Sequence, residues 1–383
     1  MDNNQDDLIK KSSSEEPVLD DVENIPQADS DEPINSEAEK VSAEDTVISD
    51  ESKIKTTKKK KKKLSVKTKV LILCGIILAT IIIFIVFLFF YLTYGLKQTN
   101  LDRDFSNLGI NNSLYNQSKD KNIINVALFG IDTRTNSNTG LSDAIMIASI
   151  DQFNGRIKLT SIARDTMVPI DGHGKTNKIN AAYSYGGAQL AIKTLNQNFG
   201  LDIQDYVTVN FNQLSKVIDT AGGVTINITE DERIMANGIM FELTRNSPKI
   251  AKSGNVLLTG DQAVAYCRIR YIGTDTARME RQRTVLQALL DKAKQLNPID
   301  LANTIHTVMP MVETSLSFDK ILNYSGILTN KNLEFIQMAF PNSKTEYALH
   351  PNDTVNGVWY FIYDLDVAKT QLRNFIYNNI KTE

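Results

Sequence analysis

Residues 122–163 read "NIINVALFGIDTRTNSNTGLSDAIMIASIDQFNGRIKLTSIA". The apolar run "NIINVALFGID" (122–132) predicts a buried strand that delivers Asp132 at its C-terminal end. After the loop "TRTNSNTGLS", the segments "DAIMIASI" (143–150) and "RIKLTSIA" (156–163) flank "DQFNG", a hairpin with glycine in the turn. Three strands so close together commit this part of the chain to a sheet.

Working outward, "RDTMVPIDGHGKTNK" reads as loop and "INAAYSYGGAQLAIKTLNQNF" as helix for most of its length, despite Gly186–Gly187. "DYVTVNF", "NQLSKVIDTAG" and "GVTINI" follow as strand, helix and strand, and residues 230–255 as an irregular insertion. In "TGDQAVAYCRIR" Thr259 is a helix N-cap, and "DTARMERQRTVLQALLDKAKQL" is the most regular helix of the chain. Further helices, strands at "LEFIQMAF" and "VWYFIYD", and a helix from about Asp366 complete the pattern. Strands interleaved with helices and no repeat predict one α/β (α+β) domain, a mixed central sheet flanked by helices, over residues 122–383.

The N-terminal third differs in composition. Residues 1–52 hold seventeen carboxylates, three lysines and no aromatic residue; residues 53–69 hold ten lysines and no acid. Residues 1–69 are therefore expected to be a disordered acidic tail ending in a juxtamembrane polylysine. Val70 to Leu92 carries no charge and as a helix spans about 34 Å, enough to cross a bilayer core. The lysines before this span outnumber the cations just after it, which predicts a cytoplasmic N-terminus, a single-pass type II arrangement in the cell membrane and an extracellular C-terminal domain. Residues 93–121 are expected to be a polar stem. Cys74 in the span and Cys267 beyond it cannot pair within one chain, and Cys267, in an apolar run, reads as a buried, inert thiol.

Residues 70–383 hold twenty-nine Lys and Arg against twenty-eight Asp and Glu, so a generic surface for nucleic acid is not expected. Against that neutrality, "RIRYIGTDTARMERQ" (268–282) packs four arginines into fifteen positions. In the helix from Asp275, Val285, Leu286, Leu289, Leu290, Ala293 and Leu296 share a face. Extended back one turn, that face reaches Gln282 and Arg278. Arg278 then sits inward at the positive end of the helix dipole and requires a negative partner, either Asp275 or a bound anion. Arg268 and Arg270, two apart, point the same way on an extended segment; they either clamp phosphate oxygens or form salt bridges to Asp132 or Asp165. Asp132, Arg134, Asp143, Arg164 and Asp165 lie at strand ends and loops, where α/β folds hold ligands. Carboxylates facing arginines suit Mg²⁺ (or Mn²⁺) beside a phosphate. His173, His306 and His350 show no metal-ligand spacing, and GxSxG, HExxH and GxxxxGK[ST] are absent.

The ordered set "NVALFGIDTR", "SDAIM", "TSIARDT", "KINAAYSYGG" and "RIRYIGTDTARMERQ" behind one N-terminal span resembles the LytR–CpsA–Psr family. The resemblance implies a phosphotransferase that moves an anionic glycopolymer (teichoic acid, capsular or secondary wall polysaccharide) from a polyprenyl-pyrophosphate carrier to the C6 hydroxyl of peptidoglycan N-acetylmuramic acid. It implies Asp132 and Asp143 on the Mg²⁺ side and Arg164, Arg268, Arg270 and Arg278 as the pyrophosphate clamp. Asp165, Asn180, Asp275, Arg281 and Gln282 match further family positions. Ala163 stands where members often have proline, and Thr276–Ala277 where they have an aromatic–glycine pair. Asp132 or Asp165 is expected to take the acceptor proton. Two alternatives are a pyrophosphatase on the same carrier and a non-catalytic envelope-binding or regulatory module.

Overall fold

The computed structural model describes residues 76–84, 86, 97–133, 140–243, 247–342 and 354–379. The expected acidic tail and most of the expected membrane span lie outside these residues. Residues 76–84 are helical, and among the described residues no helix is long and apolar enough to cross a membrane.

In chain order the elements are β1 (Lys97–Gln98), α1 (Phe105–Leu108), α2 (Asn112–Asp120), β2 (Ile123–Ile131), β3 (Ser142–Asp151), β4 (Arg156–Ile162), β5 (Met167–Ile170), β6 (Gly174–Lys178), α3 (Ala181–Phe199), β7 (Asp205–Asn210) and α4 (Phe211–Thr220). Then come β8 (Val224–Ile228), α5 (Glu230–Leu243), β9 (Gly254–Leu258), α6 (Gly260–Cys267), α7 (Asp275–Lys294), α8 (Pro298–Val308), β10 (Glu313–Thr314), α9 (Phe318–Ser325), β11 (Glu334–Phe340), β12 (Thr354–Val355), β13 (Val358–Trp359) and α10 (Leu365–Tyr377).

Seven strands form one mixed sheet in the order β1-β10-β7-β2-β3-β4-β11. The β2–β3 and β3–β4 pairs are antiparallel, while β2–β7 and β4–β11 are parallel. Both sheet faces are covered, which is why these strands read as near-continuous apolar runs. On one face Phe129, Ile131, Ile145, Ile147, Ile162 and Phe340 pack with α3 and α10. A second core joins α4, α5, α6 and α7 to the β8–β9 hairpin through Ile218, Ile226, Met240, Ala263 and Val285.

Four departures from the sequence reading have local causes. Residues 97–121, expected as part of a stem, fold onto the domain: Leu108 is fully buried, and Arg103 reaches Asp205 at 2.6 Å. Asp202, which accepts from Ser118 and Tyr377, ties α2 to α10. The expected insertion 230–255 contains the helix α5, whose Glu232 closes a capping turn on Thr229 and whose Ala236 and Met240 are core. The expected loop after Asp165 is the β5–β6 hairpin, turning at Gly172 with φ +77°. Gly186 and Gly187 leave helical geometry and kink α3.

Candidate active site

The site forms where β2 and β4 end and β3 begins, near the helix α7. Asn180 N–H donates to Arg164 O at 3.2 Å and Asn180 O accepts from Ser142 N–H at 3.4 Å. Asn180 is itself buried, so its backbone staples the segments bearing Asp143 and Arg164. From there the contacts are ionic. Arg164 Nη1 lies 2.7 Å from Asp143 Oδ2, and Arg270 Nη2 lies 3.4 Å from the same oxygen. Arg164 Nε lies 3.2 Å from Asp165 Oδ2, and Lys178 Nζ 2.7 Å from Asp165 Oδ1. Arg278 Nη2 pairs with Asp275 Oδ1 at 2.9 Å. Asp275 is therefore the partner that Arg278 requires at the helix start, although Thr274 occupies the N-cap position.

Lys178 had no signal in the sequence beyond its place before "INAAY". Its role follows from the hairpin, which pairs Lys178 with Met167 and so returns it to Asp165. Arg268 does not project from a strand as expected: it caps α6 and lays its guanidinium 4.5 Å over the Phe211 ring.

The cluster has five cations (Arg164, Lys178, Arg268, Arg270, Arg278) and three carboxylates (Asp143, Asp165, Asp275), an excess of two positive charges. Arg268 Nη1, Arg278 Nε and Asp275 Oδ2 are buried and lack hydrogen-bond partners among the described residues. Leaving such atoms unmet is costly, so the cluster is built to receive a polar ligand. Burial lowers the pKa of Arg278, opposed by Asp275, and burial raises that of Asp275, opposed by Arg278 and Arg164. For Arg164, burial works against the charge, but Asp143 and Asp165 together outweigh it and raise the pKa.

Beside the cluster opens a cavity of ≈430 Å³. Its walls are apolar: Leu128 and Met146 from the sheet, Val207 and Val209 from β7, Leu214 from α4, Leu286 and Leu289 from α7, and Ile305 and Met309 at the end of α8. Asp143, Arg268, Arg270, Arg278 and Gln282 line it as well. Val285, Leu286 and Leu289 of the apolar face of α7 thus line the cavity, and Gln282 and Arg278, further back on that face, meet its polar part. Such a cavity matches a ligand with an apolar body and an anionic end.

Three expected residues stand apart. Arg281 is 5% exposed and is occupied by Glu232 at 2.8 Å and by the carbonyls of Ile269 and Ile272; it fixes the loop between α6 and α7 instead of reaching the cavity. Asp132 is exposed at the end of β2 and makes no ion pair among the described residues. Arg134 lies outside the described residues. His173 is exposed and stacks on Tyr185, 4.1 Å between centroids. Among the described residues no group of three or more His, Cys, Asp or Glu is arranged to hold a metal. Asp143 nevertheless fits as a carboxylate ligand, because both arginines contact Oδ2 and, among the described residues, Oδ1 pairs with no cation.

Known proteins share this architecture. The chain is 32% identical over 281 residues to the polyisoprenyl-teichoic acid--peptidoglycan teichoic acid transferase TagU of Bacillus mycoides (strain KBAB4), an alignment covering 72% of this chain and 83% of that protein. The structure of TagT bound to LIIa-WTA superposes with a TM-score of 0.53 at 25% identity, over 66% of this chain and 91% of the other. The LytR-CPS2A-psr family protein YwtF (TagT) with bound octaprenyl pyrophosphate lipid gives a TM-score of 0.50 at 25% identity, over 66% and 90%. The family model described as LytR_cpsA_psr matches residues 90–375, and with it the fold, the arginine cluster and the cavity acquire a common context: the chain belongs to the LytR–CpsA–Psr family.

Proposed function

We propose that the protein is a phosphotransferase that moves an anionic glycopolymer of the teichoic acid class from a polyprenyl-pyrophosphate carrier to peptidoglycan, forming a phosphodiester link. One observation carries the reading: an apolar cavity is lined at its polar part by three arginines with unmet donors among them. The polyprenyl chain occupies the cavity and the pyrophosphate lies against Arg268, Arg270 and Arg278, where the excess charge is. The apolar run 70–92 anchors the chain in the cell membrane, with the catalytic domain outside.

In the reaction an acceptor hydroxyl oxygen attacks the sugar-linked phosphorus, the bond to the bridging oxygen breaks, and polyprenyl phosphate leaves. Arg268 and Arg278 offer donors to the non-bridging oxygens, and Arg270, half-exposed at the cavity mouth, offers a further fork. Their contribution is electrostatic, as phosphoryl transfer requires. Asp143, with Asp132 beyond the end of β2, would hold Mg²⁺ (or Mn²⁺), which when bound neutralises charge on the pyrophosphate. The hydroxyl proton passes to Asp165 Oδ2, the oxygen with the longer of that carboxylate's two contacts.

The test uses the full chain in detergent, a short polyprenyl-pyrophosphate saccharide and an uncrosslinked peptidoglycan oligomer, with products read by mass spectrometry. Saccharide phosphate attached to the glycan, dependent on Mg²⁺ and strongly reduced in Arg270→Ala, is the expected result. Saccharide phosphate released only to water would replace the transferase with a pyrophosphatase, and binding without turnover would leave a carrier-binding module.

A further inference from the structure

The cavity and the arginines account for the donor, an anionic lipid, but nothing in them suits an acceptor sugar chain. A neutral glycan offers hydroxyls and flat faces of C–H bonds, and those faces stack on the negatively charged face of an aromatic ring. The chain has one tryptophan, Trp359, and it is 38% exposed.

Its position follows from the backbone. Phe361 N–H donates to Asp165 O at 2.9 Å, Met167 N–H donates to Phe361 O at 2.9 Å, and Thr166 and Phe361 form a parallel bridge. The segment from Trp359 to Phe361 therefore runs alongside Arg164–Thr166. Trp359 meets the Phe361 ring edge to face, 4.6 Å between centroids at 71°. Phe361 in turn packs on Ala163 and Met279, the neighbours in sequence of Arg164 and Arg278. Lys178, which pairs with Asp165, also sits 5.9 Å over the ring of Tyr360. A partly open indole thus stands on the segment whose backbone is hydrogen-bonded to Asp165, the residue assigned above to the acceptor proton.

We propose that Trp359 is the stacking platform for the acceptor glycan strand, a chain of N-acetylated amino sugars, which it aligns with its hydroxyl toward Asp165. The proposal rests on the transferase reading and supplies its acceptor subsite. Trp359 acts by positioning, so it governs acceptor KM more than kcat.

Because Trp359 is the single tryptophan, its emission reports the subsite directly. With the full chain in detergent and no donor present, titration with an uncrosslinked peptidoglycan oligomer is expected to give a saturable change in emission, and a maltose oligomer none. In the transfer assay Trp359→Ala is expected to raise the acceptor KM about tenfold with kcat at saturating acceptor within about twofold, and Trp359→Phe to recover most of the loss. No emission change together with an unaltered acceptor KM in Trp359→Ala overturns the platform. So does an equal loss in kcat that Trp359→Phe does not restore, which marks a structural role. A wild-type chain that binds the oligomer but never turns over the donor would overturn the transferase reading and leave the platform standing.

Discussion

Asp143 holds two arginines with one oxygen: Arg164 Nη1 at 2.7 Å and Arg270 Nη2 at 3.4 Å from its Oδ2. Arg164 leaves the end of β4, and Arg270 comes from the loop between α6 and α7, so this carboxylate joins the sheet to the helices that enclose the cavity. The two contacts differ in kind. Arg164 is mostly buried, whereas the Arg270 side chain is 52% exposed and its contact is long.

Arg270 is therefore spent on the ligand more than on the fold. Arg270→Ala is expected to lower kcat/KM for the donor by about tenfold to a hundredfold, the range of one charge-assisted hydrogen bond. Thermal unfolding of the same variant should differ little from wild type, because exposed ion pairs contribute little to stability. A melting temperature that falls along with activity would mean that Arg270 is structural.

Arg278 makes the opposite case. It is 3% exposed and paired with Asp275, so Arg278→Met leaves a buried carboxylate without its cation and is expected to destabilise the fold by about 3 kcal/mol. Arg278→Met with Asp275→Leu should recover much of that loss while remaining inactive. Urea unfolding of the full chain in detergent measures both, and a double variant no more stable than the single one would refute the pairing.

Asp275 gives the pH dependence. Burial raises its pKa above the ordinary 3.8, so the folded state binds this proton more tightly than the unfolded chain. The associated stability is full below 3.8 and is lost as pH rises through the raised folded value. Exposed carboxylates such as Asp104 and Asp171, shifted down by hydrogen bonds, slope the other way, so the difference between proteins is the proper readout. Asp275→Asn, neutral at every pH, should gain on wild type in melting temperature between pH 4 and 7. A constant difference across that window would show that Asp275 does not titrate there.

The sheet was legible in the sequence because β2, β3 and β4 are long apolar runs and because Gly155 marks the turn between the last two. The cluster was legible because Arg278, on the inward face of α7, demands an anion. Lys178 was not, since only the register of the β5–β6 hairpin brings it to Asp165. Arg281 misled for a related reason: its spacing suits the cluster, but Glu232 claims it from α5, a helix obscured by weak periodicity. The cavity is the deepest ambiguity. Leu286 and Leu289 show the same period whether they meet another side chain or a lipid, and only the three-dimensional gap decides.

Cys267 is buried at the edge of the cavity, and burial pushes its thiol up to about 12, with Arg281 opposing. In a Cys74→Ser background at pH 8 the thiolate fraction should be about a thousandfold below that of an exposed cysteine. Reaction with an aromatic disulfide reagent should be correspondingly slow in the native protein and immediate in urea. A fast native reaction would mean that the cavity admits the reagent to Cys267, and would overturn its reading as inert.

The cavity makes the final prediction. Val209 lines it from β7 and is only partly buried, so enlarging that residue should fill space reserved for the carrier without breaking contacts of the main core. Each buried CH₂ contributes about 0.8 kcal/mol, so donor affinity should rise with polyprenyl length while the cavity fills. Val209→Trp should abolish that length dependence, raising KM for long-chain donors at least tenfold and leaving a very short-chain donor nearly unaffected. Melting temperature should stay close to wild type, because overpacking strain arises only where side chains already fill the space. Equal losses for short and long donors would mean that the apolar chain does not enter between β7 and α7, and that the arginines bind the headgroup without the help of the cavity.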